Sequence, residues 1–211
     1  CPAAAEEAVT VSPGEHGRAL LIKGGSRGSV ILIPGGDGMM GIRPDGSFTS
    51  LRGNQLVRSR TGYAARGLAV LTVDRDADLG AAIAYMRKIA QPVALVGTSR
   101  GTERAARAIA VGAKPDALVL TAGFLDGIRQ QIGSPGMLPR TLVVHHRQDQ
   151  CRFTPPGAVE SFRQWGGNKV AVAWLDGGPG GTPYCQARSF HGFLGLDGQV
   201  VNAVAQFVLK L

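Results

Sequence analysis

No run of apolar residues in this 211-residue chain approaches the roughly 18–20 that a membrane-crossing helix needs. The alanine-rich start has neither the basic flank nor the long apolar stretch of an intact signal peptide. Both shortages predict a soluble chain, from which a targeting segment could already have been removed. Cysteine is scarce, at three residues, and the spacing offers no Cys-x-x-Cys or His-x-x-x-His pair to found a metal site. Aromatic residues make up 6%, with two Trp and three Tyr. The formal net charge is +8, yet Arg and Lys are scattered singly, as at Arg18, Lys23, Arg27, Arg43, Arg52, Arg58 and Arg60, and nowhere form a run of four. Nucleic-acid binding needs clustered cations interleaved with stacking rings, so that partner is set aside and the charge is read as a basic solvated surface.

Glycine is plentiful instead: 31 of 211 residues, about twice the usual share, without the three-residue period of collagen. Many tight turns follow from that, and 44% hydrophobic residues suffice for one domain with a sizeable core. Residues 1–8 (CPAAAEEA) have little to bury and read as a flexible tether, with a single domain over 9–211 beginning near Val9. The runs ALLIK (19–23) and SVILI (29–33) read as two strands around the turn GGSRG (24–28). After a long glycine-rich loop come a helix within 53–67 and a buried strand at 68–74. Helix and strand then alternate: ADLGAAIAYMRKIA, PVALVG, TERAARAIAVGA, DALVLTAG, and, past a looped stretch at 123–139, RTLVVHH, PGAVESFRQWGG, KVAVAWLDGG and a last helix from about Asp197. This alternation predicts an α/β domain: a mostly parallel sheet with helices on both faces and chemistry in loops at the carboxyl ends of the strands.

The strongest local signal is Gly97-Thr98-Ser99-Arg100-Gly101, between a predicted strand and a predicted helix. A G-x-S-x-G turn there lifts the serine hydroxyl out of a sharp strand-to-helix corner, and the next backbone amide helps form an oxyanion site. Gly24-Gly25-Ser26-Arg27-Gly28 matches the same pattern, but a strand follows it, so it reads as a hairpin turn. A serine hydroxyl needs a base, and the base needs a group that fixes its tautomer. Asp149, in HHRQDQC, and His191, in SFHGF, both lie past the ends of predicted strands, in the chain order Ser, Asp, His expected for this corner. Asp176 and Asp126 compete for the acid's role. Backbone donors for an oxyanion are expected from Gly36 or Asp37, in the loop PGGDG, together with Arg100.

In these features the chain resembles the α/β-hydrolase superfamily, over nearly its whole length from about Arg18 to Leu211. The resemblance implies a compact, bacterial-type serine hydrolase with no large cap domain, cleaving carboxylic esters or related acyl bonds through an acyl-enzyme. In it Ser99 attacks, His191 moves the proton, Asp149 orients His191, and no cofactor is required. Two departures stand out: PGGDG replaces the commoner His-Gly start of the oxyanion loop, and His146 occupies a place where such proteins often carry glycine. An alternative class is a non-catalytic envelope protein that keeps this fold as a binding or interaction module.

Cys151 lies two residues past the proposed acid and Cys185 six before the proposed base, so a disulfide between them would tie the two loops together and imply an oxidising compartment such as a periplasm. Two unrelated thiols remain the other reading. Cys1 followed by small residues looks like the mature start of a lipoprotein, and an ordinary cleavage site fits equally well. His145, His146, Asp149, Cys151 and His191 are ligand types, but adjacent strand histidines point to opposite faces, which argues against a metal. Gly36-Asp37-Gly38-Met39-Met40-Gly41 formally matches a dinucleotide fingerprint, but Arg43-Pro44-Asp45-Gly46 follows where a helix is required. The substrate is taken to be a small ester selected by loops 37–55 and 123–139. There Met39, Met40, Phe48, Phe124 and Leu125 could line an apolar pocket or simply pack the core.

Overall fold

A computed structural model describes residues 5–14 and 17–211. Cys1 and His16 lie outside that range, and with Cys1 the lipoprotein reading. Among the described residues, eight strands form one sheet in the order β1-β2-β4-β3-β5-β6-β7-β8. Strands β3 (Ser29–Ile33), β4 (Ala69–Val73), β5 (Val93–Thr98), β6 (Ala117–Thr121), β7 (Arg140–His146) and β8 (Val170–Leu175) run parallel, while β1 (Glu6–Thr10) and β2 (Arg18–Ile22) are antiparallel additions at one edge.

Strand side chains alternate between faces, and the core divides accordingly. Ile31 and Ile33 of β3 belong to the core that lies beneath α2 (Leu79–Arg87), α3 (Arg100–Ala110), α4 (Leu125–Ile132) and α5 (Gly157–Gly166). Val30 and Leu32 face α1 (Gln55–Ala64) and α6 (Asp197–Val208) on the other side. Cover on both faces explains why β3, β4, β5 and β6 read as unbroken apolar runs.

Three local expectations are corrected. The sheet begins at Glu6, not near Val9, because β1 is laddered to β2 and anchored by charge: Glu6 accepts from Arg60 Nε and Nη2 at 2.5 and 2.8 Å, and Glu7 pairs with Lys23 at 3.0 Å. Residues 24–28 do not close a hairpin. Both β2 and β3 pair with β4, which lies between them, and the connecting segment runs so close to the turn before β4 that a Cβ on Gly25 would stand 1.8 Å from the Gly67 carbonyl oxygen. The stretch 123–139, read as loop, contains α4 and a 3-10 turn at Pro135–Met137. Leu125, Ile128 and Ile132 have helical spacing and are buried, but Gly127 and the short span mask the pattern.

The corner between β5 and α3 brings chain segments very close together at the sheet's carboxyl end. Ser99 sits there at φ 52°, ψ −125°, a left-handed conformation that costs a non-glycine residue on the order of 1–3 kcal/mol. A Cβ on Gly101 would lie 2.1 Å from the Ile33 carbonyl oxygen, and one on Gly97 would lie 2.7 Å from the Gly101 carbonyl oxygen. Gly101→Ala should therefore displace α3 from β3 and cost on the order of 1–3 kcal/mol, an overpacking penalty. Denaturant unfolding checks this, and an unchanged midpoint would show that the corner has slack.

Candidate active site

Every predicted site residue lies at the carboxyl ends of the parallel strands, because each is in the loop that leaves one of them: Gly36 and Asp37 after β3, Ser99 after β5, Asp149 after β7 and His191 after β8. Ser99 Oγ lies 3.0 Å from His191 Nε2, and His191 Nδ1 lies 3.0 Å from Asp149 Oδ2. Asp149 is buried and can only accept, so Nδ1 carries the hydrogen and Nε2 is left to accept from the Ser99 hydroxyl. The carboxylate is fully engaged: Oδ1 accepts from the Cys151 amide at 2.8 Å and Oδ2 from the Thr154 hydroxyl at 2.9 Å. Thr154 Oγ1 is also 3.0 Å from His191 Nδ1, so one hydroxyl packs against both partners. The rival acids stand elsewhere. Asp176 pairs with Arg147 at 3.0 Å on the surface, and Asp126 is exposed in the first turn of α4.

Ser99 opens α3, and the amide of Arg100 begins the helix. Gly35 packs directly on the serine, since a Cβ there would fall 3.1 Å from Ser99 Cβ. Among the described residues the amides of Gly36, Asp37 and Arg100 make no hydrogen bond, which leaves them free to donate. The Asp37 carboxylate is occupied by the Met39 amide at 3.0 Å. Arg104 steadies the loop from α3 by donating through Nη2 to the Pro34 carbonyl. Burial, the main influence on Arg104, pulls its pKa down.

The adjacent histidines of β7 do point to opposite faces, with different partners. His146 stacks on Phe190 with centroids 4.5 Å apart and bonds the Gly177 carbonyl through Nε2 at 2.9 Å. His145 donates from Nε2 to the Thr154 carbonyl at 3.0 Å and lies 3.6 Å from Asp149 Oδ2. Its Nδ1 is buried without a partner, and burial lowers its pKa below the usual 6.5. It is thus a neutral support behind the acid loop. The cavity in front of Ser99 measures about 340 Å³ and is lined by Phe124 and Phe153 as well as by the disulfide. Of the apolar candidates, Phe124 reaches it, whereas Met40, Phe48 and Leu125 are core residues. A larger groove, about 550 Å³, lies between α2 and α3, but neither Ser99 nor His191 lines it, so chemistry and not size selects the site.

No family model and no curated protein sequence matches the chain. Solved structures do. An esterase of Pyrococcus furiosus superposes with a TM-score of 0.68 at 12% identity, over 98% of this chain and 93% of that one. The esterase domain of a Rhodothermus marinus protein gives 0.67 at 12% identity over 98% of both chains, and dienelactone hydrolase of Anabaena variabilis gives 0.65 at 17% identity over 99% and 96%. The fold is that of the α/β-hydrolases.

Within this α/β-hydrolase fold, residues 176–196, which carry His191, contain no helix or strand. Besides the contacts of Asp176, Gly177, Phe190 and His191 already described, two fastenings hold them. Arg58, on α1, makes a bidentate pair with Asp197 at 2.7 and 2.8 Å and donates to the carbonyls of Gly192 at 2.7 Å and Ala187 at 3.2 Å. A disulfide joins Cys151 to Cys185 with Cα atoms 4.6 Å apart, tying the acid loop to the histidine loop. Sequence reasoning missed Arg58 and Thr154. Nothing distinguishes Arg58 from the neighbouring helix arginines in the sequence, and proximity to Asp149 was the one signal for Thr154.

Two outcomes are expected. Denatured protein should show at most one reactive thiol per chain before reduction and two more after it, and Cys151→Ser with Cys185→Ser should lose about 4 kcal/mol of stability on the chain-entropy model for 34 residues. Two additional thiols already present without reductant would remove the bridge. For His145, the depressed folded pKa means that the unfolded chain binds more protons below about 6.5, so its contribution is present above that pH and is lost as pH falls toward the folded value. The unfolding midpoint of wild type should drop more steeply between about pH 7 and 5 than that of His145→Gln. Parallel curves would show that His145 plays no part.

Proposed function

We propose that the protein is a serine hydrolase acting on carboxylic esters through an acyl-enzyme. The observation that carries this reading is the Ser99–His191–Asp149 relay, with both links at 3.0 Å and the serine in a left-handed corner. Ser99 Oγ attacks the ester carbonyl carbon as His191 Nε2 takes its proton, and the buried Asp149 carboxylate stabilises the imidazolium. The carbonyl oxygen becomes an oxyanion, and the unengaged amides of Arg100 and of Gly36 or Asp37 supply donors for it. When the C–O bond breaks, His191 gives the proton to the departing alcohol and an acyl-Ser99 ester remains. Water then attacks that ester, again losing a proton to His191. The acid is released and Ser99 regains its hydrogen. These steps draw on side chains, backbone amides and water, and the chemistry calls for no cofactor.

The disulfide supports a second part of the reading, that the protein works in an oxidising compartment such as the periplasm or cell envelope, where such bridges persist. Among the described residues no helix is long and apolar enough to cross a membrane.

A fluorophosphonate should add once per chain and fail to add to Ser99→Ala. Ser99→Ala and His191→Ala should each lower kcat on a short-chain nitrophenyl ester by at least about 10³-fold, and Asp149→Asn by about 10³- to 10⁴-fold. Folded protein that neither labels nor turns over ester would leave the fold serving as a non-catalytic binding module.

A further inference from the structure

The wall of the Ser99 cavity is uneven in character. Its aliphatic side chains are Leu51 and Ala187, while its aromatic ones are Phe124, from the loop after β6, and Phe153, from the acid loop. The two rings lie nearly parallel, with centroids 5.8 Å apart and planes inclined by 12°. The Arg152 guanidinium lies over the Phe153 ring, 4.6 Å from its centroid. Phe153 is 49% exposed, although an apolar ring gains by leaving water. The chain holds it there firmly, since Cys151 on one side is bridged to Cys185 and Thr154 on the other is hydrogen-bonded to Asp149. Phe124 and Arg152 already lie against the Phe153 ring, so what it offers beside the serine is the half of its surface that stays exposed, and a further ring gains there because offset and edge-to-face aromatic pairs attract beyond the area they bury. An alkyl chain has less to gain: a single leucine and a single alanine are the aliphatic partners, and about 340 Å³ is at the small end of ligand sites.

From this geometry we infer that the preferred substrates are esters bearing a phenyl-type ring on a short arm, the ring packing against the exposed parts of Phe124 and Phe153 while the carbonyl lies at Ser99. This rests on the reading of Ser99 as nucleophile. The reaction remains a hydrolysis, in which ester and water give acid and alcohol with no change of oxidation state.

The test measures kcat/KM for two pairs of unconjugated esters: methyl 3-phenylpropanoate against methyl hexanoate, with the ring on the acyl side, and 2-phenylethyl acetate against hexyl acetate, with the ring on the alcohol side. In at least one pair the aryl ester should lead by about tenfold, and Phe153→Leu or Phe124→Leu, which keep apolar bulk but remove the flat face, should each cut that ratio by about three- to tenfold. The pair that shows the lead identifies the side of the ester that enters the cavity. Parity in both pairs with wild-type protein overturns the inference, as does an aryl preference that survives both substitutions. The wild-type ratio can do so alone, so a variant that fails to fold does not blunt the test. Fluorophosphonate labelling separates the two levels: a labelled Ser99 with parity removes the aryl preference only, whereas no label and no turnover removes the hydrolase reading with it.

Discussion

The left-handed turn at Ser99 is the constraint to which the rest of the molecule is fitted. It holds the hydroxyl clear of the sheet and opens α3, with the Arg100 amide at the helix's free end. Such a turn fits only if neighbouring segments come very close, which is why Gly97 and Gly101 leave room for backbone oxygens where a side chain would collide. The same closeness brings the loop after β3 against the serine, so Ser99 and the candidate oxyanion donors are set by one packing arrangement. The strained residue is held between the buried strands β3 and β5 and the buried face of α3.

Opposite the serine, the structure solves a different problem. Residues 176–196 have no ladder of their own, so the position of His191 depends on attachments from outside: the bridge to the acid loop, Arg58 from α1, and the Asp149–Thr154 pair that meets its Nδ1. These attachments come from widely separated parts of the chain. His191 is therefore positioned by tertiary contacts, whereas Ser99 is positioned mainly by the local strand-to-helix connection.

That difference explains what was legible in the sequence. The corner at Ser99 has a local pattern, two glycines around a serine between a strand and a helix, and local patterns can be read directly. The parallel strands could be read because burial on both faces makes them continuous apolar runs, and β3 and β7 were bounded to the residue. Asp149 and His191 followed from chain order and loop position. Strand neighbours were harder: β4 inserts between β2 and β3, and no residue in 24–28 announces that the chain passes over another strand instead of turning back. The helix α4 was hidden by its glycine and short span, and β1 by small residues and two glutamates whose partners, Arg60 and Lys23, lie far along the chain. Arg58 and Thr154 act through distant groups and leave no spacing signature.

The grip of Arg58 on the histidine loop is made through main-chain oxygens, those of Ala187 and Gly192, and its one side-chain partner, Asp197, belongs to α6. A carbonyl oxygen is the same whichever side chain stands on its residue. The loop can therefore exchange its outward residues, such as Gln186 and Arg188, without loosening the hold on His191. Placement of His191 and the make-up of the rim above the cavity are thereby uncoupled, which leaves this scaffold open to diversification of its rim by natural drift or directed evolution while the Ser99–His191–Asp149 geometry stays fixed.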